Sequence, residues 1–265
     1  LYDRLVGYST KTLPNGTKMY DYTQLTPEVA ESWTFAEDGM AIIFKIRKDA
    51  TFWDGTPITA HDVKWSFDRS VSLGGFPTVQ MKAGSLEKPD QFEALDDQTF
   101  VIKLLRKSKL TLPDLGVPVP IIYNSKVAKA NATEKDPWAT EYLHRTPAGG
   151  GAFMLERWDP GQQTVYKRFD NWKNGELPGI SRVIIREIPS ASTRRALLER
   201  GDADVSLDLP SKDFAELTKS DKFTITGVPI ENSLLAIGLN LDFEPFQNKL
   251  VRQAVAYAVP YDQIF

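Results

Sequence analysis

Residues 38–69 read DGMAIIFKIRKDATFWDGTPITAHDVKWSFDR. The first part alternates as a half-buried strand does. Ile42, Phe44 and Ile46 fall on one face, and Ile43, Lys45 and Arg47 on the other. Asp38-Gly39 supplies a turn before it, and Asp54-Gly55-Thr56-Pro57 supplies another after Phe52-Trp53. A helix then begins, with Thr59 at the N-cap and Asp62 at N3 in a capping-box pattern. Val63 and Phe67 stand one turn apart and face a core, while Arg69 lies near the C-terminal end, where a cation is favoured. Asp54 and Gly55 read as turn chemistry rather than catalysis, and Trp53 and Trp65 as packing residues.

Composition narrows the possibilities around this stretch. With 265 residues, the chain suits one large or two modest domains. Its 42% hydrophobic and 25% charged content is that of ordinary globular proteins. A formal net charge of −3 without a polybasic block gives no reason to expect nucleic acid or an anionic membrane surface as a partner. No run of about twenty apolar residues could span a bilayer as a helix. The absence of cysteine removes disulfides, thiolate catalysis and Cys-ligated metal together.

Further turns and periods divide the rest of the chain. Leu13-Pro14-Asn15-Gly16 is a turn. Ser72 to Pro77 is a joint carrying one large aromatic, Phe76. Leu95-Asp96-Asp97-Gln98 turns into an alternating strand with Phe100, Ile102 and Leu104 on one face. Prolines interrupt 112–120, and 123–130 suits a short helix. Residues 153–157 and 164–169 form a hairpin across Asp159-Pro160-Gly161. Residues 183–188 then read as a strand. A helix capped by Ser192 and stopped by Gly201 follows, and 204–207 reads as a second strand in the same sheet. Ser211 caps a helix with Phe214 and Leu217, and 223–226 and 234–239 read as strands. Asn248 caps a last helix on which Val251, Ala254, Val255 and Ala258 repeat at helical spacing.

Residues 38–69, with Pro27-Glu28-Val29-Ala30-Glu31-Ser32-Trp33 just upstream, resemble the signature region of family 5 extracellular solute-binding proteins. Five later segments resemble the same family. They are the Leu95–Phe100 turn and strand, Phe169-Asp170-Asn171-Trp172 with Leu177-Pro178-Gly179, the 196–205 run ALLERGDADV, the segment 239–246 and Val251-Arg252-Gln253-Ala254. Thr146 to Phe153 stands where the family has a Gly-Thr-Gly-Pro turn. Here the glycine spacing is shifted and Ala152 replaces the proline, a departure that bears on local backbone geometry.

The resemblance implies an α/β fold of the periplasmic binding protein type (type II, cluster C). That fold has a mixed sheet with flanking helices and a smaller β-rich subdomain. The expected division is a subdomain over about 30–145, with 1–29 and 146–265 forming the sheet and helix core of lobe I. By the same resemblance, the second lobe and the N-terminal strand are expected to lie outside the sequence. The implied function is the substrate-binding component of an ABC importer. A peptide or similar small solute would be held between two lobes and passed to permease subunits in the membrane. No cofactor is implied. The receptor is expected to be a monomer, periplasmic or extracellular, with or without a membrane anchor.

Resemblance and strand-end geometry together nominate a ligand wall. It comprises Phe76, Gly150 in the Gly149–Gly151 turn, Asp208, Leu209 and Pro210, and Asn232, Leu234 and Leu235. For Phe76 the alternative is an aromatic tucked onto its own domain.

Other chemistries have weak support. His61 and His144 belong to no metal or catalytic pattern, and no G-x-S-x-G elbow occurs. The triple glycine lacks the Lys-Ser/Thr of a P-loop. Asp202, Asp204 and Asp208 lack the glycine and terminal glutamate of a calcium loop. A carboxylate-dependent hydrolase using Asp208, or a structural or chaperone-like module, remain as alternative readings.

Overall fold

A computed structural model describes residues 1–229 and 236–264, which form two compact units divided between Ile225 and Thr226. The first unit begins with the hairpin β1 (Val6–Thr12) and β2 (Lys18–Pro27). Next come β3 (Ala30–Phe35), β4 (Ala41–Ile46), α1 (Ala60–Ser72), α2 (Gly75–Ala83), β5 (Phe92–Ala94) and β6 (Thr99–Lys103). Three short helices follow, α3 (Thr111–Asp114), α4 (Ser125–Ala130) and α5 (Thr140–Arg145). The unit closes with β7 (Phe153–Asp159), β8 (Gln163–Arg168), β9 (Arg182–Arg186), α6 (Ala191–Arg200) and α7 (Ser211–Leu217).

The alternation at 42–46 builds the core. Strand order in the four-stranded sheet is β3-β4-β6-β5, and Phe44 pairs with Phe100 and Ile42 with Ile102. Ile42, Phe44, Ile46, Phe100 and Ile102 are all fully buried. Helix α1 lies on this face through Val63, Phe67 and Val71. The Phe67 ring meets Phe100 edge-on at 5.1 Å and Phe92 at 5.3 Å. Burying each such side chain contributes about 1.5–3 kcal/mol. Asp62 starts the helix as its spacing predicts, accepting the Thr59 backbone N–H at 3.0 Å and the Thr59 hydroxyl at 2.8 Å. A smaller cluster of Trp65, Ala128, Ala139, Leu143 and Ala148 joins α1 to α4 and α5.

The hairpin expected near Asp159-Pro160-Gly161 is formed, and β7, β8 and β9 make a three-stranded sheet. All ladders among the described residues are antiparallel, so the parallel part of a mixed sheet is not among them. The expected strand at 204–207 is not formed, which corrects the strand–helix–strand reading. Two arginines take backbone carbonyls flanking that segment. Arg186 donates to Asp202 O, and Arg194 donates to Asp208 O at 2.9 Å. Val205 and Leu207 remain exposed. Helix α6 is capped by Ser190 rather than Ser192, through Thr193 N–H to Ser190 Oγ at 3.3 Å, and Gly201 ends it in the left-handed region at φ 77°. Helix α7 has Pro210, not Ser211, at its N-cap. The Ser72–Pro77 joint is taken up largely by helix, with Phe76 in the first turn of α2.

The second unit contains α8 (Glu244–Gln247), α9 (Lys249–Ala258) and α10 (Tyr261–Ile264). Asn248 caps α9 as its position predicts, accepting Leu250 N–H at 2.9 Å. Arg252 donates to the carbonyls of Phe246 at 2.6 Å and Gln247 at 3.0 Å, tying α9 back to α8. Residues 223–226 and 236–239 form no strand, and residues 230–235 lie outside the described set.

Candidate functional site

The Gly149–Gly151 turn is held from three directions. Trp53 donates its backbone N–H to Gly149 O at 3.2 Å and its indole N–H to Gly151 O at 2.9 Å. Asn124 N–H reaches Ala148 O at 2.9 Å, and Gly151 N–H reaches Leu1 O at 3.1 Å. Gly150 is buried. A Cβ there would sit 2.9 Å from Thr51 O and 3.0 Å from Ile58 Cδ1, so close approach of backbone requires the glycine. Aromatic rings back this turn. Tyr2 lies 6.3 Å from Trp53 and 4.8 Å from Tyr123, and the Arg69 guanidinium sits 4.8 Å over the Tyr123 ring. Burial raises the pKa values of the Tyr2 and Tyr123 phenols, keeping both neutral.

Beside the turn an open cleft of about 600 Å³ runs along the β7–β8 hairpin. Trp53, Pro147, Met154, Leu155 and Trp158 form its apolar and aromatic wall, Thr146 adds a hydroxyl, and Arg145, Arg157, Lys167 and Glu156 bring charge. Register shifts between Leu155 and Arg157, so a bulge places Glu156 out of the ladder in the middle of this wall. Such a volume accommodates a small molecule. Its residues come from three separate segments, for which the sequence predicts packing at Trp53, a turn over Thr146 to Phe153 and a hairpin over 153–169, with no sign that they share a cleft.

The nominated wall residues are spread out. Phe76 is 68% exposed and Pro210 is exposed, whereas Leu209 is 5% exposed and packs inward. Asp208 takes a left-handed backbone at φ 54°, and its carbonyl is fixed by Arg194, which also holds Ile188 O at 2.7 Å and Pro189 O at 2.8 Å. This clamp joins the end of β9, α6 and the start of α7. No hydrogen bond, ion pair or ring contact among the described residues links Phe76, Gly150 and 208–210 to one another. Asn232, Leu234 and Leu235 lie outside the described residues. Among the described residues no group of three His, Cys, Asp or Glu is placed to hold a metal ion, and no helix is long and apolar enough to cross a membrane.

The helix-backed sheets and their order along the chain are those of a type II periplasmic binding protein. The chain belongs to the bacterial extracellular solute-binding proteins, family 5, whose middle region matches residues 24–265. It is 30% identical over 260 residues to the probable D,D-dipeptide-binding periplasmic protein of Escherichia coli K12, covering 98% of this chain and 47% of that one. Heme-binding protein A of Haemophilus influenzae is 31% identical over 253 residues, covering 89% and 45%. Among solved structures, a periplasmic binding protein from A. tumefaciens R10 in complex with agropinic acid is 28% identical, with a TM-score of 0.74 over 97% of this chain and 48% of its own. A Helicobacter pylori binding protein in complex with the peptide STSA shares the fold at a TM-score of 0.76, with 23% identity over 99% of this chain and 51% of its own. The chain thus spans about half the length of the curated relatives it matches.

Proposed function

We propose that this chain supplies one lobe of the substrate-binding receptor of an ABC importer, which captures a peptide or similar small solute and delivers it to a membrane permease. The observation that carries this reading is the family match over residues 24–265. A relative at 28% identity superimposes on nearly the whole chain and holds a small organic acid. The receptor acts as a monomer outside the cytoplasmic membrane and releases its solute unaltered rather than performing catalysis. Closure of two lobes around the solute is the working step, because burial strengthens every polar contact to it.

In this reading the exposed residues Phe76, Asp208 and Pro210 line the wall contributed by this lobe, and buried Gly150 and Leu209 shape its backbone from within the fold. The nomination of Asn232, Leu234 and Leu235 rests on the resemblance alone. Exposed Phe76 supplies apolar contact. The backbone at Asp208 is held rigidly by Arg194, which lowers the entropy lost on binding.

The test is calorimetry on the full receptor with a library of dipeptides and related organic acids, followed by mass analysis of the recovered solute. Binding with unaltered solute supports the proposal, and recovery of a cleaved solute favours the hydrolase reading. Replacing Phe76, Asp208 and Asn232 by alanine together is expected to weaken binding at least about tenfold. Unchanged affinity would refute the wall assignment.

A further inference from the structure

We infer that the cleft between Trp53 and Trp158 is a second binding site, specific for a small organic anion with a flat apolar body. The cleft contains none of the residues nominated for the solute wall. Its charges are not balanced. Glu156 is engaged by Arg182 at 3.0 Å, and Arg157 is engaged by Asp159 at 2.7 Å. Arg145 and Lys167 have no ion pair or side-chain hydrogen bond among the described residues, although both line the cleft. Among the described residues, two unpaired cations therefore line the same cleft, whose one carboxylate, Glu156, is already paired with Arg182.

The wall between them is aromatic and apolar. Trp158 is 47% exposed, on the strand directly after the bulge. Trp53 is fixed in place by its bond to Gly151 O, so its ring cannot swing to fill the cleft. Met154 stands opposite Lys167 across the ladder. A carboxylate set between Arg145 and Lys167 would gain charge-assisted bonds, and a ring on the same ligand would lie against indole and thioether surfaces. The volume of about 600 Å³ suits a ligand of that size.

Indole-3-acetate is the probe, and its neutral amide, indole-3-acetamide, is the control. Binding to the full receptor is followed by NMR at the indole N–H resonances of Trp53 and Trp158, assigned from Trp53→Phe and Trp158→Phe. The acid is expected to shift both resonances and to bind about tenfold more tightly than the amide. Arg145→Gln with Lys167→Gln is expected to remove that preference while leaving the melting temperature unchanged, since both side chains are exposed. Arg145→Lys is expected to retain most of it. The alanine variant of Phe76, Asp208 and Asn232 is expected to bind the probe as the wild type does.

Equal binding of acid and amide would overturn the inference, as would an unchanged preference in the glutamine pair. Loss of probe binding in the solute-wall variant would assign the shifts to the solute cleft instead. No shift at either indole in the full receptor would also overturn it, since the cleft would then admit no ligand there.

Discussion

Ser125 gives both its backbone N–H, at 3.1 Å, and its hydroxyl, at 2.7 Å, to one oxygen of the buried Asp62 carboxylate. The other oxygen takes the N–H and hydroxyl of Thr59. Asp62 thus starts α1 and fixes α4 against it with one charged group. Ser66 adds a second tie, donating to Asp62 O at 2.7 Å and accepting Tyr123 N–H at 2.9 Å. Asp62→Ala is expected to cost about 3 kcal/mol, because hydrogen bonds to a charged group contribute most and their buried donors are left unmade. Ser125→Ala should cost about 1 kcal/mol, since the backbone bond survives. Urea unfolding would measure both, and equal losses would contradict the assignment.

Asp3 leads to a pH dependence. Its carboxyl is 5% exposed, accepts Trp172 Nε1–H at 3.1 Å and an Asn174 amide N–H, and is pushed by burial up to about 7. An unfolded aspartate ionises near pH 3.9. Between those values the folded chain keeps a proton that the unfolded chain has released, so this group lowers stability as pH rises from about 4 to about 7 and is level above. The full effect is at most about 4 kcal/mol. Asp3→Asn should flatten this part of the stability curve. Parallel curves for wild type and variant would reject the account.

Gly150→Ala is expected to destabilise the fold by about 1–3 kcal/mol, the usual cost of forcing atoms into a filled site. The new methyl would meet Thr51 O at 2.9 Å, and a backbone carbonyl cannot move aside as a flexible side chain can. Since the Gly149–Gly151 turn is tied to Trp53, the Trp53 indole N–H resonance should shift in the variant. An unchanged melting temperature and resonance would show that the turn has slack.

Arg195 joins α6 to α7. Its Nε donates to Glu199 at 2.9 Å, and one terminal nitrogen donates to Asp213 and Glu216, each at 2.6 Å. These acids hold its pKa above the usual arginine value. Arg195→Leu is expected to speed amide exchange in α7 while leaving α1 untouched. Raising salt to about 0.5 M should do the same in the wild type, because exposed pairs are screened. Equal exchange in α7 with and without Arg195 would rule the clamp out.

Legibility differed between core and site. The strand at 42–46, the Thr59–Asp62 helix start, the strand from Thr99 and the Asn248 cap could all be read locally, because each depends on neighbours within a few residues. Leu209 and Gly150 were nominated as ligand contacts from strand-end position and resemblance, but neither signal reports burial. The Trp53–Trp158 cleft was missed because its walls lie about a hundred positions apart.

The sequence by itself determined the buried faces of the central sheet, the capped helix upon it and membership in the solute-binding family. Period-2 alternation and cap chemistry are local and need no partner to be recognised. The tertiary structure alone decided that residues 204–207 form no strand. Alternation marks which side chains would share a face, but a strand also needs a neighbouring edge, and here Arg186 and Arg194 hold the flanking carbonyls instead. It also decided that Arg145 and Lys167 face one cleft, since only folding brings two separate segments to a common surface.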